Sequence, residues 1–314
     1  MAAAVRDADI EYLSLAPIGD YRSSLLVLDL GPIRLLAAHD AAHITRGAIA
    51  PGRAGVLLPV GRATPGLRVN GLATWGDSVV LLRAGTELLC HAPERLDWVA
   101  IAFDEEHFGS LLDRRGTPAR FGAVALGGLA PVLERVGREV PALGPGAWAG
   151  PPGGSPGAVA RAVFEQLSAC LSALLAPIPE GGRRPRQLGR HVRLVARAEE
   201  VLRAATGRGV YTHEVAGVLG VSERTLSEAF RAVYGIPVQR YLRMRRLNLA
   251  RRALCARGCA RPLIKTVALD LGFINLGRFA QEYRSLFGEH PSATAARTQG
   301  VPPGSLDSPA LLVA

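Results

Sequence analysis

The chain has 314 residues, enough for two domains with cores of their own, and its 37 basic and 27 acidic side chains give a net charge of +10. No apolar run approaches the roughly 18 residues of a membrane-spanning helix, which excludes a helical integral membrane protein. The four cysteines, Cys90, Cys170, Cys255 and Cys259, form no CxxC pair, and residues 1 to 9 hold no apolar leader, so the expected compartment is a reducing cytoplasm and not a disulfide-stapled exterior.

In chain order, residues 1 to 20 read as a loose arm. From Ser24 to Phe103 the texture is β: the runs LLVLDL, IRLLAA, VLLPV, SVVLL and DWVAIAF are broken by Gly, Pro, Asn and Asp. Strands this short and frequent predict a closed or sandwiched antiparallel fold, because closure removes exposed edges. Helical texture follows at Asp104 to Arg114, whose opening acids suit a helix start, and at Leu126 to Val140. The first domain is placed at residues 1 to 143. Linkers and an intervening helix fill 144 to 189: Gly144 to Gly157 is a Pro/Gly break, 158 to 175 is an amphipathic helix, and Pro177 to Gly189 is a second, Arg-rich linker. The helix at 158 to 175 suits either a dimer seam or packing on its own domain. A second domain spans 190 to 297, and 298 to 314 reads as a disordered tail.

The charge is not evenly spread. Residues 183 to 297 hold 22 basic and 8 acidic side chains, whereas residues 1 to 182 are slightly acidic. A polyanion is the partner such an excess implies. Within the basic region two stretches have one build, VAGVLGVSERTLSEAF from Val215 and VALDLGFINLGRFAQEYRSLF from Val267. Each sets a small Ala four residues before a Gly (Ala216 and Gly220, Ala268 and Gly272), then an amphipathic segment anchored by Leu226 or Phe279. A helix-turn-helix needs this order: Ala lets two helices cross closely, and Gly takes the tight turn. Thr212 and Ser222 are the expected N-caps in the first unit and Asn275 in the second. Leu226, Ala229, Phe230 and Val233 are expected inward, leaving Glu223, Arg224, Ser227, Glu228 and Arg231 outward. Between the units Pro237 to Cys255 reads as one long helix, buried through Tyr241, Leu242, Met244, Leu247, Ala250 and Leu254, with Arg245 and its neighbouring arginines outside.

On these words, residues 194 to 297 resemble the DNA-binding module of the AraC/XylS transcriptional regulators. The resemblance implies two helix-turn-helix subdomains joined by a long helix, each placing its second helix in a major groove of promoter DNA, about 34 Å apart. It implies base reading by Arg224, Ser227 and Glu228, with Thr225 and Arg231 at phosphate. Arg224 suits guanine and Glu228 a cytosine amine. In the second unit Leu276, Gly277, Ala280 and Gln281 match the reading face, with Arg278 and Arg284 beside it. Gly277 and Ala280 depart from the family's small polar residues there, so only Gln281 keeps full hydrogen-bonding capacity, and this unit is expected to rely more on phosphate and methyl contacts. At the amino end the resemblance rests on strand rhythm and position alone, and implies a small cupin-like β-barrel that senses a small molecule or mediates homodimerisation. The whole is then α+β, a barrel with flanking helices followed by an all-α reader. RNA polymerase becomes a partner if the protein is an activator, and no catalytic residue or cofactor is expected.

The rival reading is a metal-dependent barrel enzyme fused to the DNA module. It draws on the HxxxH pair His39 and His43, on His91, and on Asp40 and Glu87, but the usual cupin word of two histidines one residue apart is absent. Cys255 and Cys259 share a helical face without further ligands nearby. Trp75, Arg83, His91 and Trp98 are the candidates, by position, for lining an effector pocket.

Overall fold

The computed structural model describes residues 8–17, 24–60, 66–73, 78–108, 121–125, 158–174, 186–205, 207–256, 263–297 and 310–313. The helix expected at Leu126 to Val140, the break at Gly144 to Gly157, most of the second linker, Trp75 and Cys259 lie outside them.

The amino-terminal half forms two sheets. One has the order β1 (Ala8–Ser14), β4 (His43–Ile49), β9 (Glu87–Ala92), β6 (Arg68–Val69), β7 (Leu72–Ala73). The other runs β11 (Phe121–Ala125), β8 (Ser78–Leu82), β5 (Arg53–Val60), β10 (Leu96–Asp104), β3 (Ile33–Asp40), β2 (Ser24–Asp29), β12 (Ala310–Val313). Every pairing is antiparallel except β12 on β2. Two expectations are corrected here. The sheets are not hydrogen-bonded to each other among the described residues, so they make an open two-layer stack and not a closed barrel. Part of the expected amino-terminal arm is a full strand: Ala8–Ser14 pairs along β4, its mixed polar sequence fitting a sheet that makes polar contacts on its outer face. Part of the expected tail likewise extends an edge as β12.

Alternation of side chains along a strand sorts the cores. Leu25, Leu36, Ile49, Leu82, Leu88, Cys90 and Leu96 meet between the sheets. On the outer face of the larger sheet, Leu35, Val56, Ile101 and Phe103 pack against Leu167, Cys170 and Leu171 of α1 (Ala158–Leu174), so this helix covers its own domain. On the outer face of the smaller sheet, Leu13, Ile44 and Leu89 join the core of the first helical unit.

That unit comprises α2 (Arg186–Ala204), α3 (Thr212–Leu219) and α4 (Glu223–Tyr234); α5 (Val238–Cys255) leads to the second, α6 (Ile264–Asp270), α7 (Leu276–Phe287) and α8 (Pro291–Arg297). Helix α2 begins at Arg186, inside the expected linker, where Leu188 rests on the β6–β7 turn. In that turn Asn70 and Gly71 both have positive φ, 49° and 79°, as a tight two-residue hairpin requires. A methyl at Gly71 would strike Leu188 and the Ala232 carbonyl.

Polar contacts complete this junction. Arg46, fully buried on β4, pairs with Glu199 of α2 and Glu11 of β1, and Tyr234 donates its hydroxyl to Glu199 at 3.1 Å. Arg252 of α5 also reaches Glu11, at 2.9 Å. Asn248 accepts from the Ser14 N–H at 3.0 Å and donates to its carbonyl at 3.1 Å, so the side chain pairs with β1 as another strand would. The His91 ring donates through Nδ1 to the Tyr234 carbonyl at 2.6 Å. Arg245, expected outside, is buried and donates to the Leu202 carbonyl. On α5 it lies on the stripe of Tyr241, Leu242 and Asn248, which faces the first unit and β1.

Candidate nucleic-acid interface

The two reading helices are built alike. In the first unit Gly220 ends α3 in the left-handed conformation, φ 66°, and Ser222 caps α4, its Oγ accepting from the Thr225 N–H at 3.1 Å. In the second, Gly272 turns with φ 78°, and Asn275 caps α7, its Oδ1 accepting from the Arg278 N–H at 2.9 Å. Gly235 and Gly288 close both helices in left-handed geometry. Each cap satisfies an orphan N–H, worth about 1 kcal/mol. The expected cap Thr212 is instead the first helical residue; the capping position is Tyr211, whose N–H donates to Glu214 at 2.8 Å. Leu226 and Phe279 are the buried anchors, joined by Phe230, Val233, Tyr283 and Phe287.

Arg224, Glu228 and Arg231 project to solvent from α4, with Ser222 and Thr225 at its exposed start. Arg224 is 88% exposed and pairs with Glu228 one turn on, Nε to Oε1 2.9 Å. A pair this open is worth only a few tenths of a kcal/mol, so either partner can leave it for a base. Ser227 is a correction: expected on the reading face, it is 6% exposed. It stands three and seven residues before Phe230 and Tyr234, and the apolar stripe of α4 is wide enough to take it in. On α7, Asn275, Gly277, Arg278, Gln281 and Arg284 are all exposed, and Leu276 and Ala280 are half-buried. Glu282 accepts from Arg278 at 2.9 Å and pairs with Arg243 of α5, which ties α7 to the connecting helix. The 18 residues of α5 span about 27 Å.

Two capped, solvent-facing helices, each behind a glycine turn and joined by one continuous helix, define a tandem helix-turn-helix protein. The match to known sequences agrees: residues 215–297 fit the model of a helix-turn-helix domain. The chain is 39% identical over 87 residues to the XylDLEGF operon transcriptional activator 2 of Pseudomonas putida, covering 28% of this chain and 55% of that one. It is 38% identical over 87 residues to the XylDLEGF operon transcriptional activator of the same organism, covering 28% of this chain and 27% of that one. The match thus spans about half of the first relative's length and about a quarter of the second's. Among solved structures it is similar to a probable AraC family transcriptional regulator from Rhodopseudomonas palustris, with 32% identity, 34% of this chain and 97% of that chain covered, and a TM-score of 0.31. The carboxyl-terminal module, residues 215–297, is that of the AraC/XylS family of transcriptional regulators.

In the amino-terminal half a cavity of about 100 Å³ opens between the sheets. Its lining is mostly aliphatic, with Tyr12, His43, Thr45, Cys90 and Trp98 as its polar or aromatic members. The Thr45 hydroxyl is buried with no hydrogen-bond partner. Trp98 donates to Asp40 at 2.7 Å. Burial holds the His43 imidazole below its usual value, so it stands neutral, with Nδ1 on the Ala41 carbonyl at 2.8 Å. Burial, helped by Asp40, pushes the Cys90 thiol up to about 12. Of the expected lining residues that are described, Trp98 is placed here, whereas Arg83 pairs with Glu105 and His91 faces the helices. The histidines of the rival reading do not converge. His39 pairs with Asp97, while His43 and His91 bond separate carbonyls, and among the described residues no three His, Cys, Asp or Glu side chains gather as metal ligands. Glu87 faces α2, where burial and Glu200 raise its carboxyl. No helix among the described residues is long and apolar enough to cross a membrane.

Proposed function

We propose that the protein is a cytoplasmic, sequence-specific regulator that binds promoter DNA through α4 and α7 and is controlled by a small molecule held between its two sheets. The observation that carries the reading is the repeated cap, glycine turn and solvent-exposed polar face on two helices joined by α5. Arg224 and Glu228 read bases in the first half-site, and Gln281 reads in the second. Ser222, Thr225, Arg231, Asn275, Arg278 and Arg284 hold phosphate, and Gly277 lets the backbone approach the DNA closely. The effector reading rests on the cavity and its unpaired Thr45 hydroxyl. Strands β1, β4 and β9 carry cavity residues on one face and reader contacts on the other: Tyr12 beside Glu11, Thr45 beside Arg46, Cys90 beside His91. An occupant that shifts these strands changes how firmly the reader is held, and so shifts the population able to engage DNA.

The test uses the full chain and duplexes it selects from a random library. Affinity is expected to fall steeply with salt. Arg224→Ala should lose preference among sequences, whereas Arg231→Ala should weaken all of them alike. Equal, sequence-independent losses from both would remove Arg224 from the reading face.

A further inference from the structure

The connecting helix α5 packs into the core of both units, through Tyr241 and Leu242 at one end and Leu247, Ala250 and Leu254 at the other, and Arg243 ties it to Glu282 of α7. The structure has a further attachment that joins the two units to each other directly. Tyr211, at the start of α3, donates its hydroxyl to the carbonyl of Gly272, in the turn of the second unit, at 3.2 Å. The guanidinium of Arg246, from α5, lies between the rings of Tyr211 and Phe273, 5.1 Å from each centroid. Cation–π contacts of this kind are directional and hold the rings across the charge. Beside them the Gly209 N–H donates to the Asp270 carbonyl at 3.2 Å. The two backbones are in direct contact: a methyl at Gly209 would overlap the Leu271 carbonyl, and one at Gly272 would overlap the Tyr211 hydroxyl. The loop before the first positioning helix is therefore bolted to the turn before the second reading helix.

Resting on the DNA-binding reading above, we propose that the Tyr211–Arg246–Phe273 clasp sets the rotation of α7 relative to α4, and through it the number of base pairs required between the two blocks the protein reads. These are positioning residues: they determine spacing specificity without touching a base. One inserted base pair turns the second block by roughly 35° and lifts it by about 3.4 Å, more than a fixed pair of helices can follow.

The experiment takes the duplex that the full-length wild type selects and varies the separation of its two blocks by −1, +1 and +2 base pairs. Wild type should lose about tenfold or more for one base pair, comparable to a mismatched contact. Tyr211→Ala and Gly209→Ala should bind the optimal spacing more weakly, yet vary by less than about threefold across the series, and should bind a single block as wild type does. Tyr211→Phe, which keeps the ring on Arg246, should retain much of the sharp profile. Tyr211 is partly exposed, so its truncation leaves the core intact. If wild type shows the sharp profile and both variants keep it, the clasp is overturned while the DNA reading stands. If wild type selects no sequence, or is indifferent to spacing, the clasp falls with its premise.

Discussion

Arg46 on β4 and Glu199 on α2 face each other across the junction of sheet and reader with side chains only 2% and 4% exposed. Their separation of 153 residues makes this ion pair a tie between the halves of the chain. Removing one partner leaves the other charged and dry, which costs more than the pair gains. Arg46→Ala should therefore destabilise the protein by about 3–5 kcal/mol, whereas Arg46→Met combined with Glu199→Leu should recover much of the loss. Denaturant midpoints of the three proteins provide the comparison.

Acid should destabilise the protein in two stages, first through His91 at this junction and His43 beside the cavity, then through Glu11. Burial holds His91 and His43 below the ordinary histidine value of 6.5. A group whose folded value is depressed stabilises fully above its unfolded value, and that stability drains as pH falls toward the folded one. Thermal stability should thus decline as pH drops below about 6.5, and His91→Gln should flatten part of the decline. Burial would raise the Glu11 carboxyl, but Arg46 and Arg252 outweigh it and hold it below 4.5, so its share goes only at lower pH. A melting temperature unchanged between pH 7 and 5 would contradict the first stage.

The caps can be weighed separately. Ser222→Ala and Asn275→Ala should each cost about 0.5–2 kcal/mol, read from thermal denaturation, and should speed amide exchange at Thr225 and Arg278, the N–H groups they release.

Ser227→Ala tests the burial of that side chain. It should leave the ranking of DNA sequences unchanged within about twofold, against the loss of discrimination expected from Arg224→Ala, since the bidentate base contact proposed for Arg224 would be worth about 1–3 kcal/mol. Competition binding against a small panel of duplexes resolves the two.

Thr45→Val removes a buried hydroxyl that makes no hydrogen bond. The free protein should gain up to about 1 kcal/mol or stay neutral, since no bond is lost and a desolvated polar atom is relieved. If that hydroxyl anchors an effector, the ligand-induced thermal shift should shrink in the same variant.

The reading helices were legible in the sequence because their determinants are local. Ser222, Asn275, Gly220 and Gly272 each act within four residues of their own position, and Leu226 and Phe279 repeat at helical spacing. The strands between Ser24 and Phe103 were legible for the same reason; β11 was not, and neither was β1, whose residues alternate too weakly to announce a strand without β4 beside it. What escaped was long-range. Arg245 reads as a surface residue, and no local pattern singles out Arg46, Glu199 or Asn248, because the groups that hold them in the interior come from distant parts of the chain. Ser227 was misplaced because a hydroxyl tolerates either side of an amphipathic helix, and only neighbouring elements decide.

The Asn70–Gly71 turn has a practical corollary. Its knuckle sits so tightly beneath Leu188 and the Ala232 backbone that not even a methyl fits. Anyone grafting this helical half onto a foreign amino-terminal domain would leave an empty dent where the knuckle belongs. A working chimaera must carry residues 66–73 along with the helices, or supply a turn of the same shape.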